Sequence, residues 1–266
     1  MWPKISLNYS PNFNPRKRAK KNIRFIIIHY TGMNNQLSAI NRLCDINSKV
    51  SAHYFIKKNG YVLNLVPPLY EAWHAGKSSW KNLKSLNRYS IGIEIQNSGH
   101  NNKYENFSQK QIFSTKKLLE YLIKKYNVNL KNVLGHSDIS PDRKKDPGEK
   151  FPWKKLAKSK LSQWHNLDEK KLKKKRLIKL NLYEESNFMK NLYKIGYHKI
   201  SQKNFHSQKR ILTKAFQRRF RQGLINGISD QECFIISRNL LKSWLLLLKK
   251  INLIIKWGGQ INDLSL

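Results

Sequence analysis

Ile23-Arg24-Phe25-Ile26-Ile27-Ile28 decides the fold. The run is apolar and mostly β-branched, so both of its faces call for burial. It reads as the central strand of a sheet covered on both sides. His29 stands at its end. Downstream, Ser51-Ala52-His53-Tyr54-Phe55-Ile56 and Tyr61-Val62-Leu63-Asn64-Leu65-Val66 flank Lys57-Lys58-Asn59-Gly60. An Asn-Gly pair between two such runs signals a hairpin. Ser90-Ile91-Gly92-Ile93-Glu94-Ile95 reads as another strand carrying one carboxylate, and Asn132-Val133-Leu134 as a short one. Ala39 to Cys44 predicts a helix, and Ser108 to Tyr126 a longer one, which Ser108 and Gln111 can open as a capping box. Ile112, Leu119, Leu122, Ile123 and Tyr126 line one face of it. Strands interleaved with helices predict one α/β domain with a mixed sheet.

Composition bounds the rest. A chain of 266 residues accommodates one sizeable domain and a small one. At 39% hydrophobic residues with seven Trp, wholesale disorder is excluded. The balance of 52 Lys+Arg against 16 Asp+Glu, net +36, favours polyanions such as nucleic acid, anionic lipid or an acidic wall polymer; a lysine-rich compositional bias explains it equally well. Cys44 and Cys233 stand far apart and form neither a disulfide framework nor a thiolate metal site. No secretory apolar core follows Met1, so a cytoplasmic location is expected, with the periplasm or cell envelope as the functional alternative. No apolar run is long enough to span a membrane.

Residues 1–22, with Pro3, Pro11, Pro15 and the cluster Arg16-Lys17-Arg18-Ala19-Lys20-Lys21, read as an extended basic arm before the domain at 23–165. The run from Lys170 to Lys179 cannot bury itself and places a basic linker at 166–180. A small helical domain is expected at 181–243, with a turn at Asn226-Gly227 and a second capping box from Ser229 to Glu232. In the tail 244–266, Trp244, Leu247, Leu248, Ile251, Ile254 and Ile255 share a helical face opposite Lys249, Lys250, Asn252 and Lys256. A basic amphipathic helix at 244–257 suits contact with an anionic membrane surface, or docking on its own protein.

Chemistry concentrates in Gly135-His136-Ser137-Asp138-Ile139-Ser140-Pro141-Asp142-Arg143-Lys144-Lys145-Asp146-Pro147-Gly148. Two imidazoles, His29 and His136, with one carboxylate from this loop fit a catalytic zinc site, which keeps three protein ligands and one position for water. Asp138, Asp142 and Asp146 compete for that role, and spacing does not choose among them. Lys144 suits stabilisation of an oxyanion. Glu94, a carboxylate in an apolar strand, fits either a general base raised in pKa by burial or a structural ion pair. His53 and His74 fit ligands, substrate contacts or satisfied polar groups at a cleft edge, and His100 sits in a loop.

The segments Ile26-Ile27-Ile28-His29-Tyr30-Thr31, Val50-Ser51-Ala52-His53-Tyr54, Ala72-Trp73-His74-Ala75-Gly76 and Ser90-Ile91-Gly92-Ile93-Glu94, with the whole His136–Gly148 loop, resemble bacterial N-acetylmuramoyl-L-alanine amidases. These belong to the zinc amidase superfamily that includes the peptidoglycan recognition proteins. The resemblance covers about residues 20–165. It implies one zinc ion on His29, His136 and Asp146, a catalytic Glu94 and an oxyanion-stabilising Lys144. It implies a substrate cleft lined by Trp73 and His74, beside which His53 stands as a further substrate-contact candidate. It also implies a mixed β-sheet flanked by helices, with zinc at the sheet edge. The activity implied is hydrolysis of the amide between N-acetylmuramic acid and L-alanine in peptidoglycan or its muropeptides.

Leu192-Tyr193-Lys194-Ile195-Gly196-Tyr197, Ala215-Phe216-Gln217-Arg218-Arg219-Phe220 and Asn226-Gly227-Ile228-Ser229-Asp230 resemble a small three-helix peptidoglycan-binding domain. Glu232-Cys233 departs from its pattern, in which a threonine commonly follows the aspartate. Two other classes remain: a non-catalytic wall-binding protein, and a basic protein that binds nucleic acid. All the implied site residues are present, which disfavours the first, and no nucleic-acid fold motif supports the second. A monomer is expected, and intact wall and soluble anhydro-muropeptide are both open as substrates.

Overall fold

In the computed structural model the described residues are 5–200 and 203–242, so the amphipathic stretch at 244–257 lies outside them. The strands, in chain order, are β1 (Ile5–Leu7), β2 (Phe13–Asn14), β3 (Phe25–Tyr30), β4 (Tyr54–Ile56) and β5 (Val62–Asn64). They continue with β6 (Glu71–Ala72), β7 (Ser79–Trp80), β8 (Leu83–Lys84), β9 (Ser90–Ile95) and β10 (Val133–Gly135). The helices are α1 (Gln36–Cys44), α2 (Gln109–Tyr126), α3 (His136–Ile139) and α4 (Trp153–Lys158). Beyond them come α5 (Glu169–Lys173), α6 (Leu182–Ile195) and α7 (Phe205–Phe220), and residues 231–242 are also helical.

Six strands form one sheet in the order β1-β5-β4-β9-β3-β10. It is mixed: β4 and β5 pair antiparallel, and the other neighbours run parallel. As the sequence predicts, β3 lies inside the sheet, between β9 and β10. Ile26 and Ile28 belong to a core with Leu118, Leu119 and Leu122 of α2, while Phe55 and Leu63 pack with Ala39, Ile40 and Leu43 of α1. Helices thus cover both faces. Each fully buried isoleucine side chain contributes about 2 kcal/mol, which is why a run of them fixes the strand. The Asn59-Gly60 turn joins β4 to β5, with Gly60 at φ +86° and its N–H donated to the Lys57 carbonyl. The capping box at Ser108 and Gln111 opens α2.

The N-terminal arm departs from expectation. It is built into the fold: β1 pairs parallel with β5, β2 pairs antiparallel with β6, and Asn12 Nδ2 donates to the carbonyls of Asp45 and Val50. Arg18, expected in an extended basic arm, donates to the carbonyls of Pro68, Asn87 and Ser90. Buried loop carbonyls need donors, and a guanidinium supplies several at once.

The C-terminal half also divides differently from the expected boundaries. One compact unit comprises residues up to Trp164 together with Tyr197–Gly227; the other comprises His165–Gly196 with the described residues from Ile228 on. The helical region expected at 181–243 is therefore split, and α7 belongs with the six-stranded sheet. An amphipathic pattern shows that α7 has an apolar face, and says nothing of the surface that face meets. Within the second unit the stretch expected as a basic linker is ordered. Arg176 makes a bidentate pair with Glu232 at 2.6 and 2.9 Å, and the N–H of Leu177 donates to Asp230. The capping box expected from Ser229 does not form. Ser229 Oγ has no hydrogen-bond partner among the described residues, and Asp230 caps instead, accepting from the N–H of Cys233, while Glu232 pairs with Arg176. Both cysteines are free, Cys233 buried and Cys44 half-buried. Among the described residues no helix is long and apolar enough to cross a membrane.

Candidate active site

The parallel register of β3 and β9 places His29 directly opposite Glu94, near the carboxyl ends of their strands. Strand β10 runs beside β3 and delivers His136 as the first residue of α3. The loop then returns, and the N–H of Ser137 donates to the Asp146 carbonyl at 2.8 Å. Among the described residues, His29, His136 and Asp146 are a buried group whose potential ligand atoms all lie within 4.8 Å of one another. His29 Nδ1 is 2.9 Å from His136 Nδ1 and 3.0 Å from Asp146 Oδ2, and His136 Nδ1 is 3.1 Å from that same oxygen.

Which atoms carry protons follows from the neighbours. The Ser90 hydroxyl donates to the Leu86 carbonyl at 2.6 Å, so its oxygen accepts from His74 Nε2 at 3.2 Å. His74 Nδ1 is then a lone pair, and His29 Nε2 donates to it at 3.0 Å. His136 Nε2 faces the Ala75 carbonyl at 3.2 Å, with Arg143 Nη2 3.4 Å away, and donates to that carbonyl in the tautomer that leaves Nδ1 free. In the neutral imidazoles both Nδ1 atoms are therefore lone pairs. In that pair of tautomers three acceptors converge, an arrangement that a cation satisfies. Burial first, then His136, lowers the His29 pKa to about 4, so it stays neutral. For Asp146 burial pushes the pKa up, and an imidazolium at His136 or at His29 would pull it below its usual range. Two imidazole nitrogens and one carboxylate oxygen, each about 3 Å from the others, fit a small divalent cation. A tetrahedral zinc with bonds of about 2 Å separates its ligands by roughly 3.3 Å.

Glu94 faces this group. Burial, then the Asp146 charge, raises its pKa to about 8, against a smaller lowering by Lys144. Its Oε2 is buried without a hydrogen-bond partner, so the structural ion pair that was its alternative is absent among the described residues. A cavity of about 420 Å³ opens over these residues, lined by Glu94, His136 and Asp146 together with Trp73, His74 and Lys144.

Residues 19–149 match the N-acetylmuramoyl-L-alanine amidase family. The chain is 32% identical over 244 residues to the N-acetylmuramoyl-L-alanine amidase AmiD of Escherichia coli K12, across 84% of this chain and 83% of that protein. The chain belongs to the N-acetylmuramoyl-L-alanine amidase family. Its fold resembles a solved complex of the E. coli amidase AmiD with anhydro-N-acetylmuramic acid-L-Ala-D-gamma-Glu-L-Lys, at a TM-score of 0.75 and 30% identity over 87% of this chain and 93% of the other. It is also similar to AmpDh3 of Pseudomonas aeruginosa in complex with an anhydromuramic pentapeptide, at a TM-score of 0.73 and 28% identity over 86% and 94% of the two chains.

Of the residues expected in the active site of this amidase, the structure brings together His29, Trp73, His74, Glu94, His136, Lys144 and Asp146. His53 is a correction. It is fully buried and lines no part of the cavity; its Nδ1 accepts from the N–H of Gly92, leaving Nε2 to donate to the Tyr70 carbonyl. Both nitrogens are satisfied internally, and burial, then Arg18, keeps the ring neutral. Asp142 is exposed, and Asp138, although buried, is engaged elsewhere. His74 lines the cavity but also holds His29 in its ligand-presenting tautomer. Gly92 was the sequence signal for that contact, because a glycine inside an apolar strand marks a close approach. A Cβ there would lie 2.4 Å from His74 Cγ. Sequence reading also passed over Arg143, whose Nη2 donates to the Ala75 and Lys77 carbonyls and pins the loop facing His136. His100, expected as plain loop, is hydrogen-bonded to Tyr30 and Glu149.

Proposed function

We propose that the chain hydrolyses the amide between the lactyl group of N-acetylmuramic acid and L-alanine, with one zinc ion held by His29, His136 and Asp146. The observation that carries this reading is the buried convergence of His29 Nδ1, His136 Nδ1 and Asp146 Oδ2, 2.9 to 3.1 Å from one another. Zinc, when bound, supplies hydroxide near neutral pH and polarises a carbonyl. Glu94 takes the proton of the attacking water and returns it to the leaving alanine nitrogen. Its buried, unpartnered oxygen suits both steps, and the charge of a bound cation would favour the carboxylate form that the first step needs. Lys144, in the same cavity wall, places positive charge where the amide oxygen becomes anionic. Trp73 offers an apolar wall, and Arg143 and Lys145 add positive charge for the carboxylates of a stem peptide. The relatives solved with anhydromuramic peptides support muropeptides as substrates. The wall-binding role read from the motifs within 181–243 belongs to the proposal as well, with cosedimentation on sacculi as its measure.

Purified chain incubated with sacculi and with soluble anhydro-muropeptide is expected to release peptides that begin with L-alanine. A chelator stops the release and added zinc restores it. His136→Ala is expected to lose the bound metal and more than about a thousandfold of kcat/KM, the upper range for removal of one electrostatic stabiliser. Full activity and undiminished zinc in that variant would sink the reading.

A further inference from the structure

His136 opens a helical turn of only four residues at the end of an edge strand, so α3 has little hold of its own. The hold comes from Asp138. Its Oδ2 accepts from the backbone N–H of Gly135 at 2.8 Å, the residue immediately before His136. The same oxygen accepts from Arg219 Nη1 at 2.7 Å, and Oδ1 accepts from the Tyr197 hydroxyl at 2.8 Å. Arg219 Nη2 donates to the Val133 carbonyl at 2.8 Å. One guanidinium therefore ties the strand that precedes His136 to the turn that follows it. It also lies over the Trp153 ring, 4.3 Å from the centroid. Asp138, Tyr197 and Arg219 are 1%, 2% and 3% exposed, so this network is dry.

Burying a charged pair is costly, and it persists where hydrogen bonds engage both partners. Here the pair sits against the backbone that presents His136, and through Ser137 N–H that backbone also carries Asp146. We infer that Asp138, Arg219 and Tyr197 form a positioning clamp that holds the His136 loop in its ligand-presenting conformation. The segment 197–227 is thereby a working part of the catalytic unit, and not a piece of a detachable wall-binding module. The inference rests on the metal reading of His29, His136 and Asp146. None of the three clamp residues meets substrate; they act through the backbone at Val133 and Gly135.

The test uses the full chain with Tyr197→Phe and Arg219→Lys, which keep size and charge, beside Asp138→Asn. Fold is read by near-ultraviolet circular dichroism, zinc affinity by competition with a chromogenic chelator, and loop order by amide hydrogen exchange of the metal-free chain. The folded variants are expected to bind zinc about ten- to a hundredfold more weakly, the usual scale for loss of a group supporting a ligand. Their kcat falls at unchanged KM, and exchange quickens across residues 133–146 while α2 keeps its protection. Unchanged zinc affinity with unchanged exchange over 133–146 would overturn the clamp, and so would exchange that quickens equally throughout the unit. If the parent chain binds no zinc and the loop exchange still responds as described, the metal reading falls and the clamp stands.

Discussion

The two histidines of the candidate metal group are held in opposite ways. His29 is the penultimate residue of a strand buried on both faces, and its ring is oriented by a relay of side chains, His74 to Ser90 to the Leu86 carbonyl. His136 begins a short turn beside an edge strand. Its Nε2 meets the Ala75 carbonyl and the Arg143 guanidinium, while the backbone around it is tied through Asp138 to Arg219, far along the chain. A sheet interior supplies rigidity from its own packing, so its histidine needs only its tautomer fixed. A loop lacks that rigidity and must import it. Support from nearby residues is written into the local pattern, and imported support is not.

The largest effect is expected at the group both histidines serve. Glu94→Gln keeps the shape and the zinc but removes the proton acceptor, so kcat should fall about a hundred- to ten-thousandfold. Loss of metal from this variant would mean that Glu94 acts as a ligand, which breaks the assignment of roles. The same substitution makes a pH prediction for the metal-free chain. The folded state holds the Glu94 proton up to about pH 8, above the ordinary value of 4.5. It therefore binds more protons than the unfolded state in that window, and stability falls as pH rises through it. Glutamine removes this loss. Chelator-treated Glu94→Gln should melt at least about 3 °C above the parent chain at pH 8 and show little gain at pH 4; equal melting points at both pH values would refute the buried proton.

Smaller effects sharpen the contrast between the histidines. Gly92→Ala drives a Cβ into the His74 ring and should weaken zinc binding about tenfold through His29. Exchange over 133–146 stays unaltered if the two supports are separate. Ser90→Ala should do least. It leaves the buried His74 N–H without its acceptor, at a cost of about 1–3 kcal/mol in stability. A double variant with Tyr197→Phe should show additive losses in zinc affinity, since the two supports share no residue; strong non-additivity would merge them into one network.

The same distinction explains what was legible in the sequence. The run Ile23–Ile28, the Asn59-Gly60 turn and the Ser108–Gln111 cap each specify structure within a few residues, and each stands as expected. Glu94 was conspicuous as a lone carboxylate in an apolar strand. Among the three loop aspartates spacing could not choose, and family resemblance pointed to Asp146. Asp138 remained ambiguous because its partners, Tyr197 and Arg219, lie 59 and 81 residues away. Arg18 was hidden for the same reason: a basic cluster reads as solvated until the loops whose carbonyls it satisfies are folded around it. His53 lies in a segment that carries the resemblance, and only the completed sheet shows both its nitrogens occupied.

The donor set of His29, His136 and Asp146 bears on what a purified sample will contain. Rings already fixed in tautomer and orientation need little rearrangement to accept an ion, so the donor set ranks divalent metals by their intrinsic affinity for nitrogen and oxygen. On that ranking copper precedes zinc, and nickel and cobalt come close behind. The resident ion is then decided by supply, and the melting temperature rises with the logarithm of free metal once its concentration exceeds the dissociation constant. Two preparations of one chain, grown in media of different trace-metal content, would differ in activity and in heat resistance with no change in sequence.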